Sequence, residues 1–391
     1  MRILLVAAYR NDKQESMQRF AAVMARGLSE GGHWVRTVRA PAVFGRILPS
    51  PTGLGKWLGY IDKFLLFPVL LKAMARRVDV VHFCDHSNPF YSRYVGRIPH
   101  VVTCHDVIPI ANALGELQDH RMPWTGKILQ RMIMKGLVRA QHVACVSAHT
   151  EKELRRLTGR DPGTTTRVSN GLNYPYRLMG LKEAAERLRS LGVSGRFLLH
   201  VGGNQWYKNR LGVLKIFAEV IQHPAAAELK LVMVGKGWTG AMRDFVHARS
   251  LADKVVELQG VGNEDLGALY SSAVALLFPS LQEGFGWPIV EAQACGCPVF
   301  TSNRAPMTEV GGNAAVYFDP TQTAAAAAII LQHLPRLQEM RQAGLENAKR
   351  FRTEAMIAGY IALYQMLGQS PAGVSDRWAE ALATNTQKEY L

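Results

Sequence analysis

The chain carries no apolar run long enough to span a bilayer. Its longest strongly apolar stretch, Phe64-Leu65-Leu66-Phe67-Pro68-Val69-Leu70-Leu71, falls well short of the ~20 residues that a spanning helix needs, and proline interrupts it. Cysteine is scarce too. Cys84, Cys104, Cys145, Cys295 and Cys297 are too few and too scattered for a disulfide framework, and an odd number fits a reducing compartment, so free thiols are expected. Near the N-terminus, Ile3–Ala8 is apolar but runs into Tyr9-Arg10 with no small-residue cleavage site. It reads as a buried strand rather than a signal peptide, and a cytoplasmic protein is expected. There is no Asp-x-Asp pair and no His or Cys cluster at metal-ligand spacing. Cys295-x-Cys297 lacks the partner pair or histidine of a zinc site, so neither a metal nor a bound cofactor is expected. With 48% apolar and 20% charged residues, disorder, collagen and coiled coil are excluded as well.

What remains is a folded chain of 391 residues, enough for two domains at roughly 100–200 residues each. Its net charge of +15 is unevenly spread. Residues 1–200 carry 30 Lys and Arg against 14 Asp and Glu, whereas residues 201–391 carry 16 against 17. That asymmetry turns the N-terminal half toward polyanions, be they nucleic acid, anionic lipid or a phosphorylated substrate, unless it is only a solvated basic surface. Nucleic acid is excluded as a partner, since the chain has neither base-stacking platforms nor a known module. The segment from Arg36 to Arg77 sets Phe44, Trp57, Tyr60, Phe64 and Phe67 among seven or more basic residues, among them Lys63, Lys72 and Arg76. It reads equally as a peripheral anchor on an anionic membrane and as an ordinary helix pair with a buried aromatic face.

Short β-branched runs alternate with helical segments. Strands are expected at Ile3–Ala8, Val78–Cys84, His100–Cys104 and His142–Ser147, with helices at Phe20–Leu28, Met132–Ala140 and Lys152–Leu157. The rhythm breaks near Leu178–Gly195 and restarts with strands at Phe197–Val201, Leu229–Val234, Val255–Leu258, Ala273–Phe278, Pro298–Thr301 and Ala315–Phe318. The expectation is an α/β protein of two doubly wound, Rossmann-like domains, residues 1–190 and 191–352, followed by a C-terminal helix and tail at 353–391. In such sheets ligands bind beyond the carboxyl ends of the strands, so a site in a central cleft between the domains is expected.

The richest stretch is Pro279-Ser280-Leu281-Gln282-Glu283-Gly284-Phe285-Gly286-Trp287-Pro288-Ile289-Val290-Glu291, leading from a strand into a helix. Gly284 and Gly286 allow close backbone approach, Pro288 suits a first helical turn, and the amides there favour an anion. Glu283 and Glu291, eight residues apart, can contact different parts of one elongated ligand. After the strand at Phe197–Val201, the loop Gly202-Gly203-Asn204-Gln205-Trp206-Tyr207-Lys208 brings a basic group to a place where a pyrophosphate could lie.

With Ala292-Gln293-Ala294-Cys295-Gly296-Cys297-Pro298-Val299 following it, the Glu283-to-Glu291 stretch resembles the E-x7-E signature of retaining, nucleotide-sugar-dependent glycosyltransferases of family 4, which have the GT-B fold. The resemblance extends over His105-Asp106, Val168-Ser169-Asn170-Gly171, Gly202-Gly203, Lys208-Asn209 and Thr308-Glu309-Val310-Gly311. It implies an N-terminal acceptor domain, a C-terminal domain for a nucleoside diphosphate sugar, and a C-terminal helix that returns to the first domain. It further implies that Glu291 binds the ribose, that Glu283 with the Phe285 and Gly286 amides contacts the sugar, and that Lys208 neutralises the departing diphosphate. His105 would lie near the reacting carbon and Val261 beside the nucleobase, with Gly203, Asn204, Trp287 and Ile289 completing the donor site. The resemblance implies a hexosyltransferase using a mannose-like or glucose-like donor and a glycan or lipid-linked acceptor, without a metal, in polysaccharide or glycolipid synthesis. The alternative is a catalytically weak sugar-nucleotide-binding subunit of an assembly complex. The chain departs from the family in two places: an arginine expected near Lys208 is replaced by Gly203, Asn204 or Tyr207, and the loop after the first strand, Tyr9–Ser16, lacks glycines.

Overall fold

The computed structural model describes residues 1–10, 14–47, 53–117 and 122–369. The middle of the Tyr9–Ser16 loop and the expected tail beyond Gln369 lie outside the described residues. The chain forms two compact units, residues 1–146 and 150–169 with the helix Thr353–Gln369 in the first, and residues 147–149 and 170–352 in the second. Residues 170–190 therefore belong with the second unit. The reason is packing: the helix Leu181–Ser190 lies on the helix Asn263–Ser272, and Arg187 reaches Asp265 at 3.0 Å.

In the first unit, six parallel strands, β1 (Arg2–Val6), β2 (Trp34–Val38), β3 (Val80–Phe83), β4 (His100–Cys104), β5 (His142–Cys145) and β6 (Thr165–Arg167), run in the order β2-β1-β3-β4-β5-β6. The edge strands β2 and β6 were not legible in the sequence, because β2 is largely exposed and β6 is the short polar run Thr165-Thr166-Arg167, so neither shows an apolar run. One face of the sheet, with Leu4, Val6, Phe83 and Val102, shares a core with Phe67 and Leu71 of the helix Phe67–Ala75 and Ile133 and Leu137 of the helix Trp124–Arg139. The other face is covered by the helices Glu15–Glu30 and Thr353–Gln369, which pack on each other. Phe20 of the first and Tyr360 of the second meet at 6.1 Å between ring centroids.

That second face hides a polar chain. His82 is hydrogen-bonded through Nδ1 to Tyr364 Oη at 2.6 Å and through Nε2 to Thr103 Oγ1 at 2.7 Å, and Thr103 Oγ1 is bonded to Tyr360 Oη at 2.7 Å. Each of these groups is buried, so each needs its partner. Burial, reinforced by the charge of His105, holds the His82 pKa down at about 3 from 6.5. Because the folded value is the lower one, this histidine's contribution is complete above pH 6.5 and is lost as pH falls toward 3, the unfolded chain binding the extra proton. Urea denaturation of the first unit is expected to show about 2 kcal/mol less stability at about pH 5 than at pH 7 from His82 alone.

In the second unit, β7 (Phe197–Gly202), β8 (Lys230–Gly235), β9 (Val255–Leu258), β10 (Ala275–Phe278), β11 (Val299–Ser302) and β12 (Ala315–Phe318) form a parallel sheet in the order β12-β11-β10-β7-β8-β9. These are the six strands expected from the apolar runs. The chain winds outward from β7 to β9 and then returns to lay β10 against β7. That reversal sets the loops leaving the carboxyl ends of β7 and β10 side by side, the position at which ligands bind in doubly wound sheets. All five cysteines are buried as free thiols, with Cys295 and Cys297 in the turn from a helix into β11.

Candidate functional site

The loops that leave β7 and β10 carry the expected donor residues, and they are tied together before any ligand arrives. The Leu281 amide donates to the Tyr207 carbonyl at 2.7 Å. Asn209 takes the left-handed conformation, φ 52°, and its Nδ2 donates to the carbonyls of Pro279 at 3.0 Å and Pro320 at 3.3 Å. Asparagine tolerates that backbone better than other side-chain-bearing residues, and here its amide supplies the brace as well.

Between the loops, Lys208 Nζ donates to both carboxylate oxygens of Glu283, at 2.7 and 2.9 Å. The pair is largely withdrawn from water, with side-chain exposures of 17% and 8%. The ammonium also lies 5.4 Å from the Phe278 ring centroid, a favourable cation–π distance. In such a setting each charge is held by the other, and an anion entering beside Lys208 meets a cation with little competing water.

Gly286, with φ 101°, sits in a conformation that side-chain-bearing residues rarely adopt and turns the chain into the helix Trp287–Ala294. Pro288 occupies the first turn, as expected. Phe285 and Ile289 are buried, and the indole of the half-buried Trp287 donates to the Gly171 carbonyl at 3.1 Å. Glu291 is buried one turn further on, and Tyr270 Oη donates to its Oε2 at 2.9 Å. Burial, with the adjacent Glu291 carboxylate, raises the Tyr270 pKa well above its usual value, so the phenol stays protonated as the donor. Tyr270 was not legible as a site residue; in sequence it is one more apolar position of a buried helix.

Asn204 is exposed, donates to the Gly237 carbonyl at 2.7 Å and accepts from Arg210 Nη1. The same Arg210 nitrogen donates to the Lys236 carbonyl at 2.6 Å. Arg210 is thus a buried brace between the β7 and β8 loops. Gly203 lies half-buried beside Asn204, and Val261 half-buried in the loop after β9. His105 lies in the first unit, directly after β4, with Nε2 donating to the Cys84 carbonyl at 3.0 Å and its ring edge-on to Phe20 at 4.7 Å. Burial chiefly, and the charge of His86 next, lower its pKa to about 4, so the ring is neutral at pH 7. The structure therefore joins Lys208 to Glu283, Glu291 to Tyr270 and Asn204 to Arg210. Among the described residues, no three His, Cys, Asp or Glu are grouped to hold a metal ion.

Residues 17–174 match the family model described as Glycosyltransferase Family 4, and residues 189–351 the one described as Glycosyl transferases group 1. Among curated relatives, O-antigen chain mannosyltransferase B of Escherichia coli is 27% identical over 319 residues, 78% of this chain and 80% of the relative. D-inositol 3-phosphate glycosyltransferase 2 of Catenulispora acidiphila is 27% identical over 71% of this chain and 69% of its own length. Among solved structures, the sucrose-phosphate synthase of Thermosynechococcus elongatus superposes with a TM-score of 0.73 at 18% identity, covering 94% of this chain and 99% of that one. Anabaena HepE, solved in complex with UDP and glucose, gives 0.71 at 16% identity, covering 95% and 100%.

Proposed function

Because this chain belongs to glycosyltransferase family 4 and has the GT-B fold, we propose that it transfers a mannose-like or glucose-like residue from a nucleoside diphosphate sugar to a glycan or lipid-linked acceptor, with retention at the anomeric carbon and without a metal. The observation that carries this reading is the shielded Lys208–Glu283 pair between the loops that leave β7 and β10. Lys208 would take the charge of the departing diphosphate, a task that divalent cations perform at other sites. Glu283, released from the ammonium, would orient the sugar together with the backbone at Phe285 and Gly286. Glu291, held by Tyr270, would accept from the ribose hydroxyls. His105, neutral and held by the Cys84 carbonyl, would contact the sugar. Retention follows from front-face attack: the acceptor oxygen bonds to the anomeric carbon as the bond to phosphate breaks, and the acceptor's proton passes to the leaving phosphate oxygen.

The mannosyltransferase relative and the UDP and glucose held by the HepE neighbour favour a hexose on a nucleoside diphosphate. Product release from UDP-, GDP- and ADP-sugars in chelator-treated buffer tests the reading, with the anomeric configuration read by NMR and Glu291→Ala as control. Turnover of one donor with a retained configuration is expected, with nucleotide binding lost in Glu291→Ala. Binding without turnover on any acceptor would indicate a binding subunit, and no binding at all would overturn both readings. Tyr270→Phe removes one hydrogen bond to a charged group and leaves the ring. Nucleotide affinity measured by calorimetry is expected to fall about tenfold, and the urea midpoint to fall with it, because the buried Glu291 carboxylate loses a donor.

A further inference from the structure

Twelve of the fourteen large apolar side chains exposed among the described residues belong to the first unit, although the two units are similar in size. Several of them lie on two helical segments. On the helix Trp124–Arg139, the exposed residues Trp124, Ile128, Arg131, Lys135 and Val138 recur at helical spacing on one face, with Trp124 71% exposed. On the segment ending in the helix Phe67–Ala75, the exposed residues Leu65, Val69, Lys72 and Arg76 repeat the pattern, two apolar residues a turn apart and then two basic ones. Val69 is 71% exposed and Leu65 66%. Both helices cover the same face of the first sheet, since their inner residues share one core with Leu4, Val6 and Phe83. Both also pack on the short helix Pro89–Tyr94 between them. Their outer faces therefore turn to the same side of that unit.

The charge on this side has one sign. The helix Trp124–Arg139 contains no acid and adds Lys127 and Arg139 to the basic set. Between Glu30 and Asp79 the only carboxylate is Asp62, which is fully buried and accepts from the Phe44 amide at 3.0 Å, the Gly45 amide at 2.9 Å and Tyr9 Oη at 3.1 Å. It offers no surface charge to offset the lysines and arginines. Exposed aliphatic side chains gain by leaving water, and cations beside them gain from a negative surface. A polynucleotide would satisfy the cations but leave Leu65, Val69 and Ile128 in water. A second copy of the face would set like charge against like.

We propose that this side of the first unit is an interfacial membrane-binding face, which lays Leu65, Val69, Trp124 and Ile128 among the acyl chains of an anionic bilayer while the flanking lysines and arginines meet lipid headgroups. No helix among the described residues is long and apolar enough to cross a membrane, so the association is with one leaflet.

The full chain, without nucleotide, is sedimented with vesicles of phosphatidylcholine alone or mixed with phosphatidylglycerol; the readout is thus independent of the donor chemistry. Binding is expected only to the mixed vesicles and is expected to weaken as salt rises. Lys127→Glu/Arg131→Glu/Lys135→Glu is expected to reduce partitioning about a hundredfold or more. Trp124→Ser/Ile128→Ser should reduce it about tenfold or more with the charge unchanged. Circular dichroism melting checks that each variant is folded. Should either fail that check, quenching of wild-type tryptophan fluorescence by brominated lipid, diminished in Trp124→Phe, tests insertion directly. No binding to the mixed vesicles would overturn the proposal, as would an apolar variant that binds like the wild type. So would a concentration-dependent dimer abolished by the same substitutions.

Discussion

Lys208→Met is expected to lower glycosyl transfer by about a thousandfold, the upper end of what one preorganised electrostatic contact contributes to a transition state. In the proposed reaction the loss should appear in kcat more than in KM, because the ammonium, which Glu283 holds at 2.7 and 2.9 Å, would meet charge that grows on the phosphate as the glycosidic bond breaks. The same substitution leaves the buried Glu283 carboxylate unpaired, and a loss of about 3 kcal/mol in the second unit's stability is expected. The two effects separate in the double variant Lys208→Met/Glu283→Gln when Glu283→Gln alone is the reference for transfer, since Glu283 is itself placed on the sugar. There the buried charge is gone as well, so the urea midpoint should recover most of the way while transfer stays low. A double variant that regained activity would show that Lys208 acts through the fold and not on the donor.

The second large effect is structural. Gly235 closes β8 at φ 146°, paired with Gly202 across the sheet, and a Cβ there would come within 1.9 Å of the Gly202 carbonyl oxygen. That neighbour is backbone, with no rotamer to yield, so Gly235→Ala must part β7 from β8 at the point where the loop to Lys208 begins. A loss of about 3 kcal/mol or more is expected from the clash and the positive φ together. Nucleotide binding should weaken with it, because the braces of Arg210 and Asn204 to Lys236 and Gly237 cross the same gap. Gly240→Ala provides the contrast. It opens a helix in open space, and alanine there should leave stability unchanged within about 0.5 kcal/mol or raise it slightly. Urea midpoints of the two variants, read beside calorimetric binding of UDP and GDP, check both.

The pairings inside the site show where reading the chain stopped. Glu283 and Lys208 stand in loops, and Glu291 in the helix that follows one of them, where glycines, proline and strand-to-helix position already mark a place for an anion. That Lys208 closes on Glu283, 75 residues away, depended on β10 folding back against β7. Tyr270 gave no signal at all, since a phenol inside an apolar helix looks like any other core residue until its hydroxyl is found on Glu291. Arg210 follows the same logic: an arginine two residues after Lys208 in the chain becomes, when folded, a buried brace between two loops. The proposed membrane face is a further case. The basic and aromatic content of the segment from Arg36 to Arg77 was evident, but the matching stripe on the helix Trp124–Arg139 joined it only because both helices cover one side of one sheet.

Local patterns, then, were sufficient for two parallel α/β units and for singling out the stretch proposed to carry the donor chemistry. Apolar β-branched runs and glycine turns act within a few residues of themselves, and their period survives in a linear text. Edge strands β2 and β6 escaped because the exposure of the one and the polar Thr-Thr-Arg sequence of the other leave no apolar run to announce them. Partners, charge shielding and the polar chain from His82 to Tyr364 across 282 residues came from three-dimensional packing alone. Burial is what makes a hydrogen bond or an ion pair obligatory, and burial is a property of how elements stack, which no single segment carries.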